Sequence, residues 1–133
     1  MRRFLLTTAA VATTLLGAAC GDSTGLSGSV AGSYELLAIN GQSLPVSTGS
    51  GRIIEAGQLD LDSDETFVDI IQYRNPGSSL ILTDEFSGTW ERNGSEIVLE
   101  YDDTNDVFVA ERISSSRLVL TDDGGNEWEY RRF

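Results

Sequence analysis

Apolar and polar residues alternate with a period of two through most of the chain beyond residue 32. In residues 80–91, Leu80, Leu82, Phe86, Gly88 and Trp90 share one side, and Ile81, Thr83, Glu85, Ser87, Thr89 and Glu91 share the other. Ile97, Leu99 and Tyr101 alternate with Glu96, Val98 and Glu100; Trp128, Tyr130 and Arg132 alternate with Glu127, Glu129 and Arg131. Successive side chains of a strand point to opposite faces, so this pattern marks strands with one buried face. No window sustains the 3.6-residue period of an amphipathic helix.

Turn chemistry separates the runs. Asn40-Gly41, Asp62-Ser63-Asp64-Glu65, Asn75-Pro76-Gly77, Asn93-Gly94, Asp102-Asp103-Thr104-Asn105, Ser114-Ser115-Ser116 and Asp122-Asp123-Gly124-Gly125 are all turn formers. They predict eight strands, at residues 33–39, 52–61, 66–73, 80–91, 96–101, 106–113, 117–121 and 126–133, with a loop over 44–51. Tight connections make consecutive strands antiparallel neighbours. Eight twisted strands can close on themselves and remove both exposed edges. The expected fold is therefore all-β, an antiparallel eight-stranded up-and-down meander barrel. Phe67, Ile71 and Tyr73 are expected inward from the third strand. Glu35-Leu36-Leu37-Ala38-Ile39 and Val107-Phe108-Val109-Ala110 carry apolar residues on both sides, so their inward faces stay ambiguous.

The first residues obey another rule. Met1-Arg2-Arg3 is a positive start, residues 4–19 carry no charge, and the stretch ends Leu15-Leu16-Gly17-Ala18-Ala19-Cys20. That is the layout of a secretory signal, and the apolar run is short for a transmembrane helix, which needs about 20 such residues. Small residues before a cysteine resemble the lipobox of bacterial lipoproteins, with Gly17 where Leu is usual. The resemblance implies cleavage before Cys20 and lipidation of Cys20. Cys20 is the sole cysteine, so no intramolecular disulfide forms, and acylation gives a lone thiol in an oxidising compartment a use. Ordinary cleavage after Gly17-Ala18-Ala19, releasing a soluble protein, is the alternative. The division expected is 1–19 signal peptide, 20–32 Gly/Ser-rich tether (GDSTGLSGSVAG after the cysteine) and 33–133 barrel domain. In bacterial lipoproteins Gly rather than Asp after the cysteine points to the outer membrane, so the expected place is the cell envelope, anchored at the periplasmic face of the outer membrane.

Charge and residue usage narrow the chemistry. The net charge is −12, and losing Arg2 and Arg3 with the signal makes it more negative by two. Such a balance argues against nucleic-acid partners. The chain has no His and no Lys. Ser-His and Cys-His nucleophiles, His-containing zinc sites, Schiff bases and a P-loop lysine are thereby excluded. Asp60-Leu61-Asp62-Ser63-Asp64 imitates the start of a calcium loop, but Glu65 stands where the loop needs Gly and Ile71 where it needs a bidentate Glu. It reads as a solvated turn, as do Asp102-Asp103 with Asp106 and Asp122-Asp123. A catalytic carboxylate pair of the glycosidase kind needs only two acids, but the acids fall mainly on turns and outward faces. No enzyme activity, metal or cofactor is expected.

Gly32-Ser33-Tyr34-Glu35-Leu36 and Ile39-Asn40-Gly41-Gln42-Ser43-Leu44-Pro45 are similar to the opening "G-x-Y-x-L…V-N-G-x-x-L-P" of lipocalin-like bacterial lipoproteins. Leu59 to Phe67 resembles their "L-x-L-x-x-D-G-T-F" hairpin, with Glu65 where Gly is usual. Ser87-Gly88-Thr89-Trp90, Asn93-Gly94 and Ile97-Val98-Leu99 resemble a later hairpin, and Trp128-Glu129-Tyr130-Arg131-Arg132 the closing strand. The order of these pieces carries the likeness. It implies a small lipocalin-like barrel on a lipid anchor and transfers no site residues. Tyr34, Phe67, Tyr73, Phe86, Trp90, Tyr101, Trp128 and Tyr130 are the candidate ligand-lining residues of the interior. Eight strands leave room for filling side chains or for one small ligand, and this many rings favour filling. Inward Arg132 and Asp84 would be a buried pair or rim groups. Two functions are compatible with this reading. One is binding of a small apolar or amphipathic ligand in the barrel. The other is a protein-interaction module, such as a periplasmic inhibitor or envelope assembly partner, acting through the loops at residues 40–51 and 74–79.

Overall fold

A computed structural model describes residues 28–133. The expected signal peptide at 1–19, Cys20 and residues 21–27 of the expected tether lie outside the described residues. Ten strands are formed: β1 (Gly32–Ile39), β2 (Gln42–Ser43), β3 (Val46–Ser47), β4 (Ile53–Leu61), β5 (Thr66–Arg74), β6 (Leu82–Asn93), β7 (Glu96–Tyr101), β8 (Val107–Ser114), β9 (Arg117–Thr121) and β10 (Glu127–Arg132). Eight of them close into an antiparallel meander barrel of the lipocalin-like kind. Each of β4 to β9 pairs with the next strand, β10 pairs with β1, and β1 pairs with β4 to seal the ring. The stretch expected as one loop holds two short strands. β2 pairs with the end of β1 and β3 with the start of β4, so the β1–β4 seam opens toward that end. The Leu44–Pro45 peptide bond there is cis.

The first ambiguous strand resolves through a bulge, which adds a residue and reverses the parity of the strand beyond it, and the second, β8, through unbroken alternation up to Arg112. In β1 a bulge falls between Leu36 and Ala38, so Tyr34 and Leu36 are buried from one side of it and Ile39 from the other. In β8, Ala110 and Arg112 are buried, while Val107 and Val109 lie exposed on the outer face, Val109 opposite Val98. Leu80 departs from the expected pattern. Strand β6 begins at Leu82, and Leu80 is 65% exposed because its N–H donates to Ser78 Oγ at 3.1 Å and stays in the turn.

The barrel has two unlike ends. The turns at 62–65, 94–95 and 115–116 lie at one end, and the segments 40–52, 75–81, 102–106 and 122–126 at the other. Residues 28–31, read from composition as the last of the tether, lie against the first end, with Val30 in the core. Tyr34, Phe67, Leu59, Ile97, Leu99, Leu118 and Tyr130 fill the middle. Gly88 shows how tightly: a Cβ there would come within 1.9 Å of the Glu100 carbonyl oxygen and 2.7 Å of the Phe67 ring.

Candidate functional site

At the end formed by residues 28–31 the barrel is shut. Four successive carbonyls are held by side chains. Arg92 donates to Gly28 O at 3.0 Å and Arg112 to the same oxygen at 3.3 Å. Arg132 donates to Ser29 O at 3.0 Å and also to Ala31 O, and Tyr34 Oη donates to Val30 O at 2.6 Å. Arg112, which the alternation of β8 turns inward, is 4% exposed and further donates to Ser114 O and Ser115 O. The Arg132 guanidinium sits 5.8 Å from the Tyr34 ring centroid. Burial raises the Tyr34 phenol, against the lowering effect of Arg132 and Arg112.

The opposite end is open. A cavity of about 250 Å³ enters the barrel there, walled mainly by Ile71, Phe86, Tyr101, Phe108, Trp128 and Tyr130. It leads into a wider vestibule of about 570 Å³ between the 48–52 segment and the 122–126 turn, with Ile71, Phe86, Asp122 and Trp128 lining both. Small-molecule sites have this form, concave and apolar with a few placed polar groups. Each wall has a local cause. Tyr101 sits at the hub of an aromatic cluster, edge-on to Phe67, Phe86 and Phe108 with centroids 4.9, 6.1 and 5.2 Å away. Trp128 is fixed by its indole N–H, which donates to Asp122 at 2.9 Å. Asp122 also accepts the Asn126 backbone N–H at 2.8 Å, closing the turn. Burial raises the Asp122 carboxyl, but the hydrogen bonds from Asn126 and Trp128 outweigh it and hold it below the usual carboxylate range. On the far lip Arg52 pairs with Asp84 at 2.7 Å and stacks 4.1 Å from the Tyr73 ring centroid.

The chemistry of the cavity centres on Asp69. It is 7% exposed and lines the cavity's inner end. One carboxyl oxygen accepts the Tyr101 hydroxyl at 2.8 Å, whereas Oδ1 is buried with no hydrogen-bond partner. Native proteins rarely leave a buried acceptor unmatched, because it forfeits its water and gains nothing in exchange. Burial pushes the carboxyl up to about 6, against the lowering effect of the Tyr101 bond. Burial, and then the Asp69 charge, push the Tyr101 phenol well above its ordinary value, so it remains a donor. Tyr130, wholly enclosed, is shifted in the same direction by burial and then by Asp69 and Tyr101.

Of the eight candidate interior residues, Phe86, Tyr101, Trp128 and Tyr130 meet around the cavity. Tyr34 and Phe67 fill the core away from it. Tyr73 lies buried beneath Arg52. Trp90 lies half-buried beside the 62–65 turn, its indole donating to Asp62 O at 2.9 Å. Asp84 is a rim group and Arg132 closes the other end; they are not a pair. Sequence reasoning missed Asp69, yet a signal was there: it is the one polar residue on the inward parity of Phe67, Ile71 and Tyr73. Among the described residues no cluster of three acids, His or Cys is placed to hold a metal ion. In the 60–64 motif Asp64 accepts the Thr66 N–H and hydroxyl, which lower its carboxyl, and Asp60 accepts from Gln58. Compared with protein-family models, curated proteins and solved structures, the chain matches none.

Proposed function

We propose that this protein is a lipid-anchored envelope protein that holds one small amphipathic molecule in the open half of its barrel. The observation that carries the proposal is the aromatic-walled cavity of about 250 Å³ lined at its inner end by Asp69, a buried carboxylate with one oxygen unmatched. An engineered apolar cavity of about 150 Å³ suffices for benzene, so this one admits a ring with a short polar arm. The lipobox-like segment ending at Cys20 supports the anchor, the sequence likeness to lipocalin-like bacterial lipoproteins supports the same family, and Gly21 after the cysteine supports the outer-membrane location. Residues 28–31 lie against the shut end, opposite the mouth. The role is binding, with no catalytic residue assigned.

Native mass spectrometry on the full chain purified from its own envelope tests this. A releasable adduct of one discrete small molecule is the expected result. A bare polypeptide mass, together with no uptake of N-phenyl-1-naphthylamine, a neutral apolar reporter, overturns it.

A second function has an observation of its own. Leu80 and Ile81 are exposed apolar residues on the 75–81 segment beside the mouth, where the 40–51 loop also lies. A protein partner docking on these loops would cover them. Recovery of a crosslinked envelope partner that is lost on Leu80→Ser with Ile81→Ser supports that function; unchanged recovery removes it.

A further inference from the structure

The cavity carries information about the charge of its occupant. Asp69 Oδ1 requires a hydrogen-bond donor, and Tyr101 is already used on the other oxygen. No arginine among the described residues lines this cavity, and the chain has no lysine. Arg52, at the vestibule, is paired with Asp84. Arg74, Arg117 and Arg131 pair with Glu55, Glu129 and Glu35. Arg92, Arg112 and Arg132 hold the carbonyls at the shut end. The described residues therefore supply Asp69 with no cation. Two more carboxylates, Asp106 and Asp122, line the same cavity nearer its rim, so every charged side chain on its wall is acidic. Its remaining walls are chiefly aromatic side chains, a residue type whose ring face attracts a cation through the quadrupole. An anionic head group would meet three carboxylates and no basic side chain.

Resting on the ligand-binding proposal above, we infer that the occupant is a small organic cation, an amine or ammonium group on an aromatic or apolar body, with its nitrogen at Asp69 and its body among Phe86, Tyr101, Phe108 and Trp128. An ammonium N–H supplies the donor that Oδ1 lacks and the charge that Asp69 lacks. A charge-assisted hydrogen bond is roughly twice as strong as a neutral one, so the cation is distinguished from a neutral molecule of equal size.

Three probes with one body separate the charges: 2-phenylethylamine, 2-phenylethanol and 3-phenylpropionate, titrated calorimetrically at pH 7.5 into the purified full chain. The amine is expected to bind about tenfold or more tighter than the alcohol, and the propionate not at all. In Asp69→Asn the amine's advantage disappears; in Asp64→Asn, a charge-matched control at the turn on the shut end, it persists. Equal affinity of amine and alcohol in the wild type, or an amine preference that survives Asp69→Asn, overturns the inference and leaves ligand binding standing. If none of the three binds and the neutral naphthylamine reporter is also excluded, ligand binding itself fails, and the inference with it. The wild-type series decides the matter even if Asp69→Asn does not fold.

Discussion

The two ends of the barrel use polar groups in opposite ways. At the shut end every carbonyl from Gly28 to Ala31 accepts a hydrogen bond from an arginine or from Tyr34, and Val30 is in the core. At the open end a buried carboxylate keeps an oxygen unmatched beside a cavity. The first arrangement is what stability alone favours, since satisfied buried polar groups rigidify a structure. The second lowers stability, and such features concentrate where a ligand completes them. The contrast locates function at one end of a molecule whose strands are otherwise uniform.

Removing a donor at the shut end has the largest expected effect. Arg112→Ala leaves the Gly28, Ser114 and Ser115 carbonyls short of a buried donor. It should destabilise the fold by about 4 kcal/mol in denaturant unfolding, the range for loss of a buried, hydrogen-bonded charge. A loss below about 1 kcal/mol would erase the distinction between the ends.

Next comes the pH response of the open end. The groups facing Asp69 are Tyr101 from β7 and Tyr130 from β10, with Asp106 and Asp122 toward the rim and Asp84 further out, paired with Arg52. The folded-state value of Asp69 is raised from 3.8 to about 6. The fold thus favours the protonated acid: its contribution is full below about pH 4, falls as pH rises toward about 6, and is absent above. Over that window the wild type should lose about 3 kcal/mol relative to Asp69→Asn. Melting curves of both proteins at pH 4 and pH 8 measure it. Parallel shifts of the two would show that Asp69 is not strained by burial.

Glu65 offers a gain. It holds φ at 69° in the 62–65 turn, a left-handed conformation in which a side chain is unfavourable. Glu65→Gly should raise stability by about 1 kcal/mol, read as a higher denaturation midpoint with unchanged slope. The smallest effect belongs to the rim. Arg52 and Asp84 are substantially solvent-exposed, so Arg52→Ala should cost less than about 1 kcal/mol. Set beside Arg112→Ala, it compares an arginine that closes the barrel with one that merely borders its mouth.

Much of this architecture was legible in the residues themselves. Period-two alternation and Asn-Gly or Asp-rich turns located all eight barrel strands, because both signals are local: a strand exposes alternate faces whatever it pairs with, and a turn depends on its own few residues. The side of each strand was legible only between bulges. The bulge in β1 reverses parity without a mark in the sequence, which is why Leu36 and Ile39 can both be buried although alternation sets them on opposite faces. Strand β6 starts at Leu82 rather than at Leu80, since Ser78 captures the Leu80 N–H. The Gly/Ser composition of residues 21–32 reads as tether, yet Val30 is apolar enough to bury once Arg92, Arg112 and Arg132 converge on its neighbours from three strands.

The candidate site lay further from reach. The alternation already turned Phe86, Tyr101, Trp128 and Tyr130 inward, but Asp69 went unread on the parity of Phe67, Ile71 and Tyr73, and the ambiguous face of residues 107–110 left Arg112 unplaced. What it left open was which inward residues fill the barrel and which surround a space. That depends on how strands of unequal length are staggered around a closed ring. Register sets Gly88 against Tyr101 and Asp69 against Phe86, bringing residues distant in sequence to one depth. The sequence alone determined that the chain folds as an antiparallel meander and which chemistries its missing His and Lys forbid. Tertiary structure alone decided that one end is shut, the other open, and that Asp69 stands buried between them with an oxygen unmatched. Alternation and turns are properties of neighbours along the chain, whereas a cavity is a property of what closure leaves empty.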